Sequence, residues 1–473
     1  MRKPKRLIGY LKHDEIDYPF EFDEETFSLM LFPPTIEIWS HTSSLFNLLS
    51  GWKDSSRKHE WIGVQQLHGI TSERNKIIFE VSEARSNYNG FYSYSVHWYF
   101  YYSAELDPNR IDGFKILGEE INFFFPPKKV LNPEILFFEN QMTVKKLSLT
   151  ATNRITESCG KYRIAPHVDA TIDVSAYATM NFHSLGSPMD ATSILVTSFS
   201  QPVNLEVLKM AYNNLMCFLK YITYRTNIGI YTAEVFYLNH QGQKDYQGLL
   251  VFKRQNELET NKTASDQIIK YDVLKSRTGK LFTCIKQEKF SFQHLCESID
   301  STHHYPVSRI IMVFSAFERE FRNIYGQDFD RSPEYISAKK DVVDLIDNYL
   351  RTTQGKKRSY IKQLRKYVEN RDSSFETNIK KVLLDCEKIM TPFLKKRYIG
   401  SYPEMVHNLS ARMGDFRNGI AHSRLDLHFE AIHLSDIKIV EELLYAIRLK
   451  KIGLQTSEIQ KAISDLFLER LAL

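Results

Sequence analysis

The segment Arg417-Asn418-Gly419-Ile420-Ala421-His422 places a permanently charged guanidinium and an imidazole that titrates near neutral pH within one short run. Those two groups suit the cleavage of RNA. The 2′-hydroxyl of RNA is an internal nucleophile beside every phosphodiester. Cutting there requires a proton acceptor, a proton donor and something to hold the extra negative charge on phosphorus. Histidine serves as acid or base. Arginine grips a phosphate through two parallel hydrogen bonds. Asn418 would fix the imidazole tautomer or bind a phosphate oxygen. Nothing in this arrangement requires a metal, and no cofactor is implied.

The element that positions these groups reads as a helix around MVHNLSARMGDFRNGIAH, with an apolar stripe of Met405, Leu409, Met413, Phe416 and Ile420. Asn418 and His422 project away from that stripe, and Arg417 lies on the flank between. The group therefore faces water or another surface. Gly414 and Gly419 each cost about 1 kcal/mol relative to alanine in a helix, which invites a reason such as close approach of another backbone. The alternative is that the helix ends near Gly419. Upstream, in VSRIIMVFSAFEREFRNIYG, Glu318 falls between Phe314 and Phe321 in projection. A carboxylate so placed needs a partner. Arg417 across the bundle and Arg322 one turn on are the two choices.

The host elements change grammar along the chain. Residues 1–200 read as a β-rich, sandwich- or barrel-like domain and a possible sensor. Asn89-Gly90 between two strand-like runs signals a hairpin, and all four tryptophans (Trp39, Trp52, Trp61, Trp98) lie in this part. Residues 201–292 read as a mixed connecting region, with a helix through Leu205, Leu208, Ala211, Leu215, Phe218 and Ile222, then strands near IGIYTAEVFYL and GLLVFK. The polar run NELETNKTASDQ is the expected surface crossing. Residues 293–473 read as a helical bundle with stripes at Val307, Ile310, Ile311, Phe314, Phe317 and Phe321; at Val342, Ile346 and Tyr349; at Ile379, Val382, Leu383, Cys386, Met390 and Phe393; and at Ile437, Val440, Leu443, Leu444 and Ile447. Ser457 and Gln460 stand at capping-box spacing before the last helix. The fold class is α+β and multidomain.

Bulk properties narrow the function classes. At 473 residues, 43% hydrophobic and 25% charged, the chain is long enough for two or three domains of ordinary globular composition. A net charge of +5 permits an acidic partner without demanding one. Cys159, Cys217, Cys284, Cys296 and Cys386 are scattered and odd in number, which fits a reducing, cytoplasmic setting. No signal-peptide or membrane-spanning run is read, so no membrane partner is expected. Basic clusters at Lys356-Lys357-Arg358, Lys362 with Arg365-Lys366, Lys380-Lys381 and Lys395-Lys396-Arg397 would track an RNA backbone or simply form solvated faces. His294, Cys296, His303 and His304 form the densest set of metal-capable residues, but their spacing matches no zinc pattern, and no metal site is expected. Tyr92, Tyr94 and Trp98 would stack bases or sugars, or fill a β-domain core.

RNGIAH resembles the R-[N/D/H]-x-x-x-H signature of HEPN domains, small helical bundles that are often metal-independent ribonucleases. FSAFEREFR resembles the first helix of that domain in ApeA-type abortive-infection (anti-phage) proteins, in which a long β-rich N-terminal domain precedes it. The match departs from the pattern at Ser423-Arg424, where a small residue is expected. The resemblance implies Arg417 and His422 as catalytic, Asn418 as auxiliary and Glu318 as a supporting carboxylate. It further implies RNA as substrate with transfer RNA as an expected target, 2′,3′-cyclic phosphate products, a homodimer through the helical domain and a phage-derived trigger. Two rival readings stand beside it: a non-catalytic helical dimerisation or binding module, and a ligand or phage-protein receptor acting through the β-domain.

Overall fold

The computed structural model describes residues 6–13, 16–32, 59–60, 64–86, 92–137, 144–180, 189–254, 259, 262–326, 333–369, 374–421 and 429–469. The chain divides into a β-rich unit (1–220, 227–265 and 270–283) and a helical unit (221–226, 266–269 and 284–473). The segment 201–292 is therefore shared between the two rather than forming a body of its own.

The β-rich unit carries β1 (Arg6–His13), β2 (Ile16–Asp23), β3 (Ser28–Leu31), β4 (His59–Glu60), β5 (Gln65–Thr71), β6 (Lys76–Ser86), β7 (Tyr92–Tyr102), β8 (Ile111–Leu117), β9 (Leu131–Phe137), β10 (Val144–Ala151), β11 (Arg154–Ala165), β12 (Val168–Met180), β13 (Met189–Val203), β14 (Thr232–Leu238) and β15 (Lys244–Phe252). Strands β7, β3, β2, β1, β5 and β6 pair in that order, and β6 returns to β7, closing a six-stranded barrel. From β7 the sheet continues through β15, β14, β8, β13 and β12 to β11, while β9 and β10 form a separate hairpin. The strands read near GLLVFK and TAEVFYL thus belong to the same sheet as the N-terminal ones.

The barrel follows from period-two alternation. In β2, Tyr18, Phe20 and Phe22 turn inward while their neighbours are less buried. In the barrel core Phe22 packs on Phe79 and Tyr99 with ring centroids 5.0 and 5.1 Å apart. Each fully buried large apolar side chain of this cluster contributes about 1.5–3 kcal/mol. Gly9 lets β1 approach β5: a Cβ there would sit 2.1 Å from the Ile70 carbonyl oxygen. Tyr94 and Trp98 of the aromatic strand are buried, so they serve the core rather than a stacking platform. Asn89-Gly90 lies outside the described residues, but the flanking β6 and β7 pair antiparallel up to Ser86 opposite Tyr92.

The helices in chain order are α1 (Glu119–Phe124), α2 (Leu205–Thr223), α3 (Lys262–Asp266), α4 (Tyr271–Leu274), α5 (Thr278–Lys286), α6 (Val307–Tyr325), α7 (Pro333–Thr352), α8 (Gly355–Glu369), α9 (Phe375–Asp385), α10 (Glu387–Arg397), α11 (Tyr402–Ala421), α12 (Ala431–Lys451) and α13 (Thr456–Leu466). In the helical unit α12 is central. From Asp436 to Leu449 nearly every side chain is buried, charged ones included. Each buried charge has a partner. Asp436 accepts two bonds from Arg412, Glu441 pairs with Arg309, Glu442 takes both Nη atoms of Arg397, and Arg448 grips Glu320. Stripes on α9 to α12 are buried as expected, except Ile420 near the end of α11, which is partly exposed.

Three expectations need correction. In α6, Val307 and Ile311 are exposed, and Val313 and Ala316 take their place, because the buried face is rotated about one residue round the helix. In α7, which packs on α8, Val342 and Tyr349 are exposed, and the less exposed face is that of Val343, Ile346 and Leu350. Helix α13 is capped by Gln455 and Glu458, not by Ser457 and Gln460.

Candidate functional site

Arg417 lies in the last described turn of α11, and α11 reaches it by packing Met405, Leu409, Met413 and Phe416 into the bundle. Gly414 explains how closely α11 runs beside α9. A Cβ at that position would stand 2.9 Å from the Glu376 Cβ, too near for two carbons. The helix runs through Gly414, and its described part ends at Ala421, two residues past Gly419.

This placement leaves Arg417 half-exposed and Asn418 exposed, on the flank opposite the buried stripe. The Arg417 Nη2 donates to Glu318 Oε1 at 3.1 Å, and Arg322 approaches Glu318 Oε2 at 3.6 Å. Both partners weighed for Glu318 therefore share it, one on each oxygen. Glu318 is 23% exposed and Arg417 39%, so the pair sits at a surface that solvent or a substrate reaches. A guanidinium held by one carboxylate oxygen at one nitrogen keeps other N–H donors for a phosphate. His422 lies outside the described residues, as do Ser423 and Arg424.

Beside this group sits an aromatic cluster that the sequence reading missed. The His433 ring stacks on Phe416 with centroids 4.7 Å apart, and Phe429 packs 5.8 Å from Phe416. His433 Nδ1 accepts the backbone N–H of Glu430, closing a capping box at the start of α12. That bond fixes Nδ1 as the acceptor nitrogen and leaves Nε2 carrying the proton in the neutral ring. No sequence signal marked it, since Glu430-x-x-His433 is not the usual Ser/Thr-x-x-Glu/Gln box.

The basic clusters separate into two kinds. Arg397 is committed to Glu442 and Glu469, and Lys396 also pairs with Glu469. Arg397, only 11% exposed, is held inside the bundle by these carboxylates, whereas Lys395 and Lys396 are exposed. Lys356, Lys357 and Arg358 are exposed at the start of α8, away in sequence and in element from the α6–α11 contact. His294 and Cys296 are buried while His303 and His304 are exposed. No group of three or more metal-capable side chains gathers among the described residues. Burial pushes the His294 imidazole down to about 4, with the neighbouring Arg309 charge adding to the effect.

The β-rich unit holds a second concavity, a cleft of about 680 Å³ lined by Glu24, Lys115, Leu117, Tyr231, Glu234 and Arg254 among others. That volume falls in the range of small-molecule sites. Beneath it Glu120 is buried, its Oε1 accepting the Gly229 N–H at 2.7 Å and its Oε2 without a hydrogen-bond partner among the described residues.

No helix among the described residues is long and apolar enough to cross a membrane. Comparison with protein-family models, with curated proteins and with solved structures finds no match for this chain.

Proposed function

We propose that the helical unit is an RNA endonuclease of the HEPN kind, cutting through attack of the 2′-hydroxyl without a metal, within an anti-phage abortive-infection effector. The observation that carries this reading is the contact between Arg417 and Glu318, which ties the two motifs singled out in the sequence into one half-exposed group. In this reading Arg417 binds the scissile phosphate and holds the charge that builds on it. His422 moves the proton, Asn418 orients the imidazole or a phosphate oxygen, and Glu318 aims the guanidinium. RNA is the substrate, transfer RNA the first target to test, and a phage-derived cue the trigger.

The test is incubation of purified protein with total RNA and with transfer RNA in EDTA, with and without phage lysate, beside the His422→Ala variant. Discrete fragments ending in 2′,3′-cyclic phosphate, absent with the variant, support the proposal. Absence of cleavage under every condition sinks it.

A second reading, with the β-rich unit as receptor for a small-molecule cue, draws on the cleft above Glu120. A ligand held there would raise the unfolding temperature of the wild-type chain and not that of a Lys115→Glu, Arg254→Glu variant.

A further inference from the structure

Phe416 precedes Arg417 on α11, and the two residues make neighbouring rungs of the contact with α6. Arg417 meets Glu318, and the Phe416 ring meets Phe314 edge-on with centroids 6.2 Å apart. Phe314 and Glu318 lie four residues apart on α6, about 6 Å along its axis. The start of α12 lays two further rings on Phe416. His433 stacks on it almost parallel, at 16° and 4.7 Å. Phe429 lies 5.8 Å from Phe416 and 6.2 Å from His433. Exposure rises outward through this group: Phe416 is 4% exposed, His433 is half-buried and Phe429 is 45% exposed.

The support beneath the outermost ring is fixed. His433 Nδ1 accepts the Glu430 N–H at 3.1 Å, and the Glu430 carboxylate accepts the His433 backbone N–H in return. The negative charge of Glu430 is thereby turned onto a helix N-terminus, where it is stabilised. Phe429 directly precedes that cap. A residue there ordinarily staples the helix start by packing on an apolar side chain of the first turn, for which an aliphatic residue serves as well. A ring resting on two other rings, one of them held by a hydrogen bond, goes beyond what a staple needs.

We infer that Phe429, backed by His433 and Phe416, is a stacking platform for an unpaired base beside the phosphate that Arg417 holds, and that it makes the site select single-stranded over duplex nucleic acid. Stacking needs a π face and no particular hydrogen-bond pattern, so every base is accepted. In a duplex both faces of each base are already covered, and the platform has nothing to receive. The inference rests on the reading of Arg417 as a phosphate-binding group. The platform takes part in no proton transfer, so it is tested without cleavage.

The probe is a fluorescein-labelled dodecamer of 2′-O-methyl adenosine, whose blocked 2′ oxygens cannot attack. Its binding to the full chain is measured by anisotropy at one fixed ionic strength, beside the same sugar-phosphate chain lacking bases and beside the dodecamer annealed to its complement. The wild type binds the single strand about 10-fold tighter than either control. Phe429→Leu keeps an apolar staple and loses that preference, Phe429→Trp keeps it, and Arg417→Ala weakens binding to the single strand and to the base-free chain alike. The wild-type comparison needs no variant to fold. A wild type that binds all three probes equally overturns the inference, as does a folded Phe429→Leu variant that retains the preference. A Phe429→Leu variant whose mass by sedimentation differs from the wild type also overturns it, and marks the ring as a contact between chains. The two readings fail separately. Preference for the single strand without cleavage of any RNA sinks the endonuclease and leaves the platform, whereas cleavage without the preference does the reverse.

Discussion

Two glutamates two positions apart on α6, Glu318 and Glu320, are expected to respond oppositely to the same change. Glu320 is 7% exposed and faces Arg448, itself 2% exposed. Replacing Glu320 with glutamine leaves a buried guanidinium whose remaining partners are the Lys289 carbonyl oxygen and the Cys284 sulfur. Breaking a buried pair from one side costs about 3–5 kcal/mol. In a unit of this size each kcal/mol moves the unfolding temperature by roughly 2–4 °C, so the fall should be on the order of 10 °C. Glu318→Gln removes a pair whose arginine is 39% exposed and returns readily to water. That loss amounts to at most about 1 kcal/mol, a shift of no more than roughly 4 °C. Activity should reverse the order. Without the Glu318 carboxylate the Arg417 guanidinium is no longer aimed, and a misplacement near 1 Å costs on the order of 100-fold in rate. The loss should fall on kcat and leave KM little changed, while Glu320→Gln, which removes only one of the two pairs that fix α6, should lose far less activity well below its unfolding temperature. Calorimetry of both variants followed by cleavage assays makes the comparison. Equal thermal shifts would refute the burial argument, and full activity in Glu318→Gln would refute the positioning role.

The remaining expectations concern pH and packing. His294 is buried neutral with its pKa lowered to about 4, so the unfolded chain binds its proton first as pH falls. Its contribution is complete above about pH 6.5 and is lost as pH drops toward 4, a difference of about 3 kcal/mol; His294→Gln should flatten that part of the stability profile measured by denaturant titration. Gly414→Ala should destabilise by about 1–2 kcal/mol, because crowding against the Glu376 Cβ outweighs the gain of about 1 kcal/mol in helix propensity; a more stable variant would contradict the close approach of α9 and α11. Asp436→Asn should loosen α11 by weakening its hold on Arg412, and should lower RNA cleavage through kcat even though Asp436 does not touch Arg417; unchanged kinetics would show that α11 is placed by apolar packing alone.

What the sequence made legible follows from which patterns are local. Alternation in β2 and β7 and the stripes of α9 to α12 are written in consecutive residues, so strands and helices could be read directly. Closure of the barrel was not, because it depends on β3 pairing with the distant β7 while β15 extends the sheet from the other part of β7. The exposed stripe of α7 looked like core because periodicity reports an apolar seam without saying what covers it. The polar residues of α12 misled in the opposite direction. Glu441, Glu442 and Arg448 all are buried, which the apolar stripe of that helix gives no sign of, since their partners come from distant helices. Within the site, Arg417, Asn418 and Glu318 were found from type and position. His433 was passed over because its role depends on a ring stack with Phe416 that no spacing rule contains.

Those buried charges explain why Arg417 and Glu318 meet at all. Apolar packing alone tolerates small slides and rotations of one helix along another, since Leu on Met is nearly as good as Leu on Leu. An ion pair in the interior tolerates far less. Helix α6 is fixed to α12 at two points, through Arg309 on Glu441 and Glu320 on Arg448. Helix α11 is fixed to the same helix through Arg412 on Asp436. With α12 as the common reference, the register of α6 against α11 is set by three charge pairs, none of which belongs to the site. The contact at 3.1 Å between Arg417 and Glu318 is where the two settings agree. A buried pair adds little net stability compared with a well-packed apolar replacement. Its value in this bundle is positional, holding Arg417 against Glu318 at a half-exposed surface.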